Sequence, residues 1–188
     1  VVILVGKSGS SKTTWAMDIA DQIARQERKV LYYDGELSQR QLLLRYPTRR
    51  WSNNLLRMER DRDIKAEKEL IDIMEELVFK NDIEVLFVDN ITALQMQLEK
   101  TEAALALMER INAIKMRYNL SVVCLCHIPK AYSHLPLSVE SVAGSAKVTD
   151  LADNVLGIAE SAQDKNIIYL KQLKNRNGER VYDEDNVI

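Results

Sequence analysis

The chain has 188 residues, 46% of them hydrophobic and 29% charged, with a formal net charge of −2. These values predict one globular domain over residues 1–188, the core of a longer protein, and exclude a disordered chain or a globally basic nucleic-acid binder. No apolar run approaches the roughly 20 residues that span a bilayer. Cys124 and Cys126 lie two residues apart in one predicted buried strand, and with no further cysteine in the chain we expect reduced thiols and a cytoplasmic protein with no membrane partner.

Predicted strands and helices alternate along most of the chain. The apolar runs predict strands at 1–5, 29–34, 83–89, 120–127 and 154–160. The helical periodicities predict helices at 13–27, 64–79 (with Asp63 as N-cap), 101–118 and 147–153. The polar, Arg-rich stretch 45–63 and the loop 129–143 carry no predicted element. This alternation predicts an α/β fold with a mostly parallel central sheet flanked by helices, and Asn177-Gly178 predicts a C-terminal antiparallel hairpin.

A small-residue turn, GKSGSSKT at 6–13, joins the first strand to the first helix. It matches the phosphate-binding pattern G-x-x-x-x-G-K-[ST] except that Ser11 replaces the second glycine. Backbone N–H groups at such a turn, at a helix N-terminus, can bind the phosphates of ATP. If position 11 needs a positive φ, serine costs about 1–2 kcal/mol there. The expected nucleotide contacts are Gly6, Ser8, Gly9, Ser10, Ser11, Lys12, Thr13 and Thr14.

Two oxygen ligands suggest a Mg²⁺ site beside this loop. The Thr13 hydroxyl follows the loop lysine, and Asp89 ends the predicted strand 83–89. Ligands of open α/β sheets bind at the carboxyl ends of parallel strands, and Mg²⁺ prefers oxygen ligands. A strand-end aspartate is common without any metal, so the phosphate loop is what favours this assignment.

Two further strand ends carry polar residues suited to phosphoryl chemistry. Glu36 follows the second strand and could orient an attacking water, with Asp34 as a nearby competitor. His127 ends the fourth strand and could contact a γ-phosphate. A surface glutamate and a histidine bound to backbone are the equally plausible structural explanations.

Cations elsewhere suggest contacts with a polymer or a neighbouring subunit. Lys174 and Arg176 lie beside the Asn177-Gly178 turn and could reach a nucleotide bound by another copy, although solvation is the commoner role. The candidate DNA contacts in and just past the loop 129–143 are Lys130, His134 and Lys147. The Arg-rich stretch 45–62 is a second candidate, for which surface solvation ranks first.

Taken in order, these motifs resemble the RecA-type ATPase core of hexameric replicative helicases, the DnaB and RepA group. GKSGSSKT, ELSQRQL at 36–42, VLFVDNI, CLCHIPK, AGSAKVTDLADNVLGI and KNRNG each resemble a segment of that core. Two of these segments, the HIPK end of CLCHIPK and the AGSAK block, look closer to RepA-like ATPases of mobile elements.

The resemblance implies a RecA-like P-loop fold that binds ATP and Mg²⁺. It also implies that Glu36 is the catalytic carboxylate, that His127 senses the γ-phosphate, and that Lys174 and Arg176 act across a subunit boundary. The leading hypothesis is therefore an ATP-driven motor on single-stranded DNA, assembled as a homo-oligomeric ring or filament. The alternatives are a recombinase-type or KaiC-like regulatory ATPase that unwinds nothing, and an assembly scaffold with a weakened nucleotide site.

Overall fold

The computed structural model of the chain describes residues 1–59, 67–91, 101–128, 137–139, 149–161, 163–164, 166–183 and 186–187. Seven strands form one sheet in the order β3-β2-β4-β5-β1-β6-β7. The strands are β1 Val2–Gly6, β2 Val30–Asp34, β3 Leu55–Glu59, β4 Val85–Asp89, β5 Ser121–His127, β6 Asn154–Glu160 and β7 Ile168–Asn175. The helices are α1 Lys12–Arg25, α2 Gln39–Arg45, α3 Glu67–Lys80 and α4 Thr101–Tyr118.

The sheet is parallel from β3 to β6, and only the β6–β7 pair among the described strands is antiparallel. The predicted fold class is therefore confirmed. Strands β2 and β4 are buried along their whole length, as expected of apolar central strands covered on both faces. Strand β5 lies between β4 and β1, which places the end of β5 between the other two strand ends.

Helices cover both faces of the sheet. On one face the core joins Ala16, Met17 and Ala20 of α1 to Tyr32 and Phe87, whose rings stack with centroids 5.6 Å apart. On the other face α3 and α4 pack their apolar stripes against the sheet. The buried residues of those stripes include Leu70, Met74, Val78, Met108, Ile111 and Ile114.

The stretch 45–63, predicted to be polar and without an element, begins where a short helix ends and contains an edge strand. The short helix α2 begins just ahead of this stretch with a capping box: the Ser38 side chain accepts from Gln41 N, and the Gln41 side chain accepts from Ser38 N. Strand β3 pairs in parallel with β2 and carries Arg57 in its centre. A five-residue edge strand interrupted by an arginine shows little apolar alternation, so its pattern was missed.

The antiparallel pair exists, but its connection is not at the predicted turn. Residues 161–167 link β6 to β7, and Asn177-Gly178 follows β7. Gly178 does not take a positive φ; instead the Asn175 side chain donates to Glu179 O (2.9 Å) and accepts from Asn177 N (3.3 Å). The chain then runs back beside β7, where the Gln172 and Tyr182 backbones share a hydrogen bond, without a further strand in its described part.

An arginine fixes the connection between α2 and β3 to helix α1. The guanidinium of Arg49 lies 4.3 Å from the Trp51 ring centroid and donates to Asp18 and, at 3.1 Å, to the buried Asp21. Asp21 also accepts from Ser52 N at 2.8 Å. Burial alone would raise the pKa of Asp21, but these hydrogen bonds outweigh it and hold the pKa below its usual range.

Some expected features lie outside the described residues, namely the N-cap Asp63, the loop 129–143 except 137–139, and the start of the predicted helix 147–153. Across the described part of the chain, no helix combines the length and apolar character needed to cross a bilayer.

Candidate functional site

The polar residues predicted at the strand ends gather at one edge of the sheet. Gly6 of β1 is the register partner of His127 of β5, and Asp34 of β2 is the register partner of Asp89 of β4. Because all four strands are parallel, their carboxyl ends meet at the same edge, which is where ligands bind in open α/β sheets.

The glycines of the loop are required by its shape. A Cβ at Gly6 would lie 2.5 Å from Ile158 O and 2.6 Å from Ser10 Oγ, so only glycine fits between β6 and the loop. Gly9 has open space around it but takes a φ of +83°, which favours glycine. The buried Ser10 Oγ has no hydrogen-bond partner in the described structure.

Ser11 adopts a left-handed conformation, which meets the condition under which serine is strained at this position. Its φ and ψ are 63° and 18°, and it is the N-cap of α1. Its side chain makes no capping hydrogen bond, although its carbonyl accepts from Trp15 N at 2.9 Å. The replacement of glycine by serine therefore leaves the loop's fold intact, at a strain cost of about 1–2 kcal/mol.

Lys12 places its ammonium inside the loop. The residue is buried, and Nζ donates to Gly6 O (2.9 Å) and Lys7 O (2.7 Å). Burial lowers the pKa of Lys12, whereas the carboxylates of Glu36 and Asp89 act in the opposite sense. Among the described ion pairs none includes Lys12, so this desolvated cation would gain from an anion bound in the loop.

Asp89 and Thr13 lie in contact, as the predicted metal pair requires. The Asp89 carboxylate accepts from Tyr32 OH at 2.8 Å and from the Thr13 side chain. Burial raises the pKa of Asp89 to about 6, and these hydrogen bonds only partly offset it. A desolvated carboxylate beside a hydroxyl suits a hard cation such as Mg²⁺. The described residues include no group of three or more His, Cys, Asp or Glu able to hold a metal. In nucleotide sites Mg²⁺ generally uses one or two protein ligands and takes the rest from phosphates and waters.

Glu36 lies across from Lys12 and contacts two other strand ends. Its Oε1 is 2.7 Å from His127 Nε2 and also accepts from Asn90 Nδ2. The hydrogen bond with His127 is the main reason that the pKa of Glu36 lies below its usual range. An ionised carboxylate that stays accessible to solvent beside the loop is suited to orient and polarise a water.

Asp34, the competitor of Glu36, has a different role in the structure. Its side chain is fully buried and bound to Arg57, and its Oδ1 accepts from Glu36 N (3.1 Å) and Leu37 N (2.8 Å). The turn therefore directs Glu36 toward the loop and Asp34 away from it.

A cavity of about 390 Å³, lined mostly by apolar atoms, opens beside the loop. Trp15, Ile158, Tyr169 and Leu170 form its apolar walls, and Ser11 and Thr14 lie at its border with the loop.

Comparisons with known proteins agree with this arrangement. Residues 1–133 match the model of the AAA domain family AAA_25. The chain belongs to this family. It is 30% identical over 183 residues to the DNA repair protein RadA of Campylobacter jejuni, covering 95% of this chain and 37% of RadA. Its fold is similar to that of a KaiC-like protein from Pyrococcus horikoshii OT3 (TM-score 0.73, 17% identity, 96% of this chain and 81% of the other). The domain is thus a RecA-type ATPase domain, and the predicted resemblance is confirmed.

Within this AAA domain, Lys174 and Arg176 lie far from the loop. Lys174 is paired with Val155 near the start of β6, whereas Gly6 is paired with Ile158, so roughly 10 Å along and roughly 10 Å across the sheet separate them. Lys174 Nζ donates to Thr149 O at 2.7 Å, and Arg176 donates to Asp150 O. They make no contact with the loop of their own chain in the described structure. Lys130, His134 and Lys147 lie outside the described residues.

Three residues at this edge were missed: Tyr32, Asn90 and Arg57. Asn90 directly follows Asp89, and its place beside a strand-end carboxylate could have suggested a polar contact in the AAA domain. Tyr32 lies inside an apolar run, and Arg57 inside a stretch with many arginines, so neither carried a separate signal.

Replacing Ser11 with glycine should stabilise the domain. The substitution removes the left-handed strain, while the greater freedom of glycine in the unfolded chain offsets part of the gain. We expect the free energy of unfolding of Ser11→Gly to rise by about 0.5–1 kcal/mol in urea denaturation. Ser8→Gly is the matched control, since Ser8 is also exposed but has no positive φ; it should lose stability slightly. Equal effects at both positions would contradict the strain at Ser11.

Asp89→Asn should stabilise the nucleotide-free domain at neutral pH. Because the pKa of Asp89 is raised to about 6 on folding, the folded state binds its proton more tightly, and stability falls as pH rises from about 4 to 6. Asparagine removes this penalty, so we expect a gain of about 1–3 kcal/mol at pH 8 that disappears below pH 4. Mg²⁺·ATP should raise the melting temperature of the native domain but not of the variant. If the difference in unfolding free energy between the variant and the native domain did not change with pH, the raised pKa of Asp89 would be refuted.

Proposed function

We propose that this domain hydrolyses ATP with Mg²⁺ and acts as an oligomeric motor on single-stranded DNA. The observation that carries the hydrolytic part is the convergence of Lys12, Thr13, Asp89, Glu36 and His127 at one sheet edge. The loop's steric need for Gly6, its buried lysine and its unpartnered Ser10 hydroxyl all fit a bound phosphate chain.

Each residue has a distinct task in this proposal. Backbone N–H groups of residues 8–13 bind phosphate oxygens, and Lys12 neutralises their charge. Thr13 and Asp89 hold the cation, which when bound compensates the charge that develops on phosphoryl transfer. Glu36 orients the attacking water, and His127 contacts both Glu36 and the position expected for the terminal phosphate. The apolar cavity beside Ser11 and Thr14 has the size and lining that suit the nucleobase.

The DNA part rests on the resemblance to helicase cores and on a relative named as a DNA repair protein. The chain spans only 37% of that relative, so the activity of a whole protein is part of the proposal. The relative's name also favours a second candidate function, a repair-type ATPase that binds DNA without unwinding it.

The decisive experiment measures ATPase rate with and without single-stranded DNA, at several protein concentrations. We expect a several-fold stimulation by DNA and a fall in specific activity on dilution, because the site is completed by a neighbouring subunit. Lys12→Ala should abolish ATP hydrolysis both with and without DNA. Stimulation without strand separation on a forked duplex would select the repair-type ATPase. A rate indifferent to DNA would overturn the DNA motor, and no binding at millimolar ATP would leave only the scaffold.

The role of Arg176 across the subunit boundary predicts complementation. Arg176→Ala should abolish turnover while ATP binding remains nearly unchanged, since the residue does not contact its own loop. Mixing it with Lys12→Ala subunits should restore activity, because hybrid interfaces then combine one intact loop with one intact arginine. Arg180→Ala, an exposed arginine on the same segment, is the control and should retain full turnover. If the mixture stays inactive, Arg176 does not act in a neighbouring site.

A further inference from the structure

The turn that presents Glu36 is held by an arginine on the edge strand. Arg57 of β3 donates from Nε (3.1 Å) and Nη2 (2.9 Å) to the same oxygen of Asp34, Oδ2. The other oxygen, Oδ1, accepts from the backbone N–H groups of Glu36 and Leu37. One carboxylate thus links the guanidinium to the residue at the reaction site.

The same guanidinium also contacts the far side of the turn. Nη2 donates to Leu37 O, and Nη1 donates to the side chain of Gln39, the first residue of α2, at 2.9 Å. Arg57 therefore binds both ends of the segment 34–39, which a lysine, with a single charged nitrogen, could not do in the same way.

The ion pair between Arg57 and Asp34 also compensates a buried negative charge. Asp34 is fully buried beside its register partner Asp89, and Glu36 follows two residues later. In the described structure Arg57 is the cation that forms an ion pair with Asp34, and its own side chain is mostly buried. Without it, an uncompensated buried carboxylate would favour a rearranged turn.

We propose that Arg57 is a positioning residue for ATP hydrolysis, acting through Asp34 to hold Glu36 toward His127 and the phosphate loop. This inference rests on the proposed function, in which Glu36 is the catalytic carboxylate.

The test is a double-mutant cycle on ATP turnover. Arg57→Gln should lower kcat by roughly 10- to 100-fold while changing KM for ATP by less than about 3-fold, since Glu36 orients water and does not bind the nucleotide. In the Glu36→Gln background, which we expect to lose roughly 100-fold or more, Arg57→Gln should cause no further loss in single-turnover rate. Arg57→Lys should retain the charge and recover part of kcat.

Arg49→Gln is the matched control, because Arg49 makes an equivalent ion pair with a buried aspartate, Asp21, that also accepts a loop N–H. It should lower stability without lowering kcat. Native turnover in Arg57→Gln, or an equal further loss in the Glu36→Gln background, would overturn the positioning role. If Arg57→Gln does not fold, the same cycle with Arg57→Lys decides it. Native turnover in Glu36→Gln would instead refute the catalytic assignment of the proposed function.

Discussion

The buried ammonium of Lys12 is the interaction on which the rest of this site depends. It is desolvated by the loop that surrounds it and is bound by two carbonyls of that loop, Gly6 O and Lys7 O. The two carbonyls satisfy hydrogen bonds of the ammonium but do not neutralise its charge. The negative charges of the Glu36 and Asp89 carboxylates stabilise it from a distance. A bound polyphosphate would replace a weak, long-range compensation with direct contact.

The carboxylates in turn impose their own constraint. Asp34, Glu36 and Asp89 end or follow neighbouring strands, and each would be costly to bury alone. The structure treats them differently: Asp34 is paired with Arg57, Glu36 is half-exposed and bound by His127 and Asn90, and Asp89 retains a raised pKa. Asp89, whose negative charge is the least compensated of the three, is the carboxylate that contacts the Thr13 hydroxyl. The acidic edge is thus organised so that the remaining deficit of positive charge lies where a cation would bind.

The sequence was informative wherever local chemistry determines local structure. VLFVD and SVVCLCH predict buried parallel strands because both faces of such strands are apolar, and the glycine expected at position 11 marks that position as a candidate for the left-handed conformation found at Ser11. It was least informative where a contact joins distant segments. Nothing around Arg57 shows that it will meet Asp34, since their contact exists only after β3 pairs with β2. The Asn177-Gly178 signal marks a reversal of the chain, but no strand follows it in the described residues, and the Asn175 side chain bonds to Glu179 O there.

The topology also explains why a single copy of the domain is an incomplete catalyst in this proposal. Strand β7 runs antiparallel to β6, so the residues that follow it return to the amino end of the parallel strands. Any side chain at the end of β7 therefore lies at the edge opposite the phosphate loop, however favourable its chemistry. Lys174 and Arg176 are held there by carbonyls of residues 149 and 150, which fixes their direction before any neighbour arrives. In the proposed oligomer, the cation at one edge would meet the phosphate site at the other when a second copy stacks its amino edge against the first copy's carboxyl edge. Repetition of that proposed contact would generate a ring if the rotation closes and a filament if it does not.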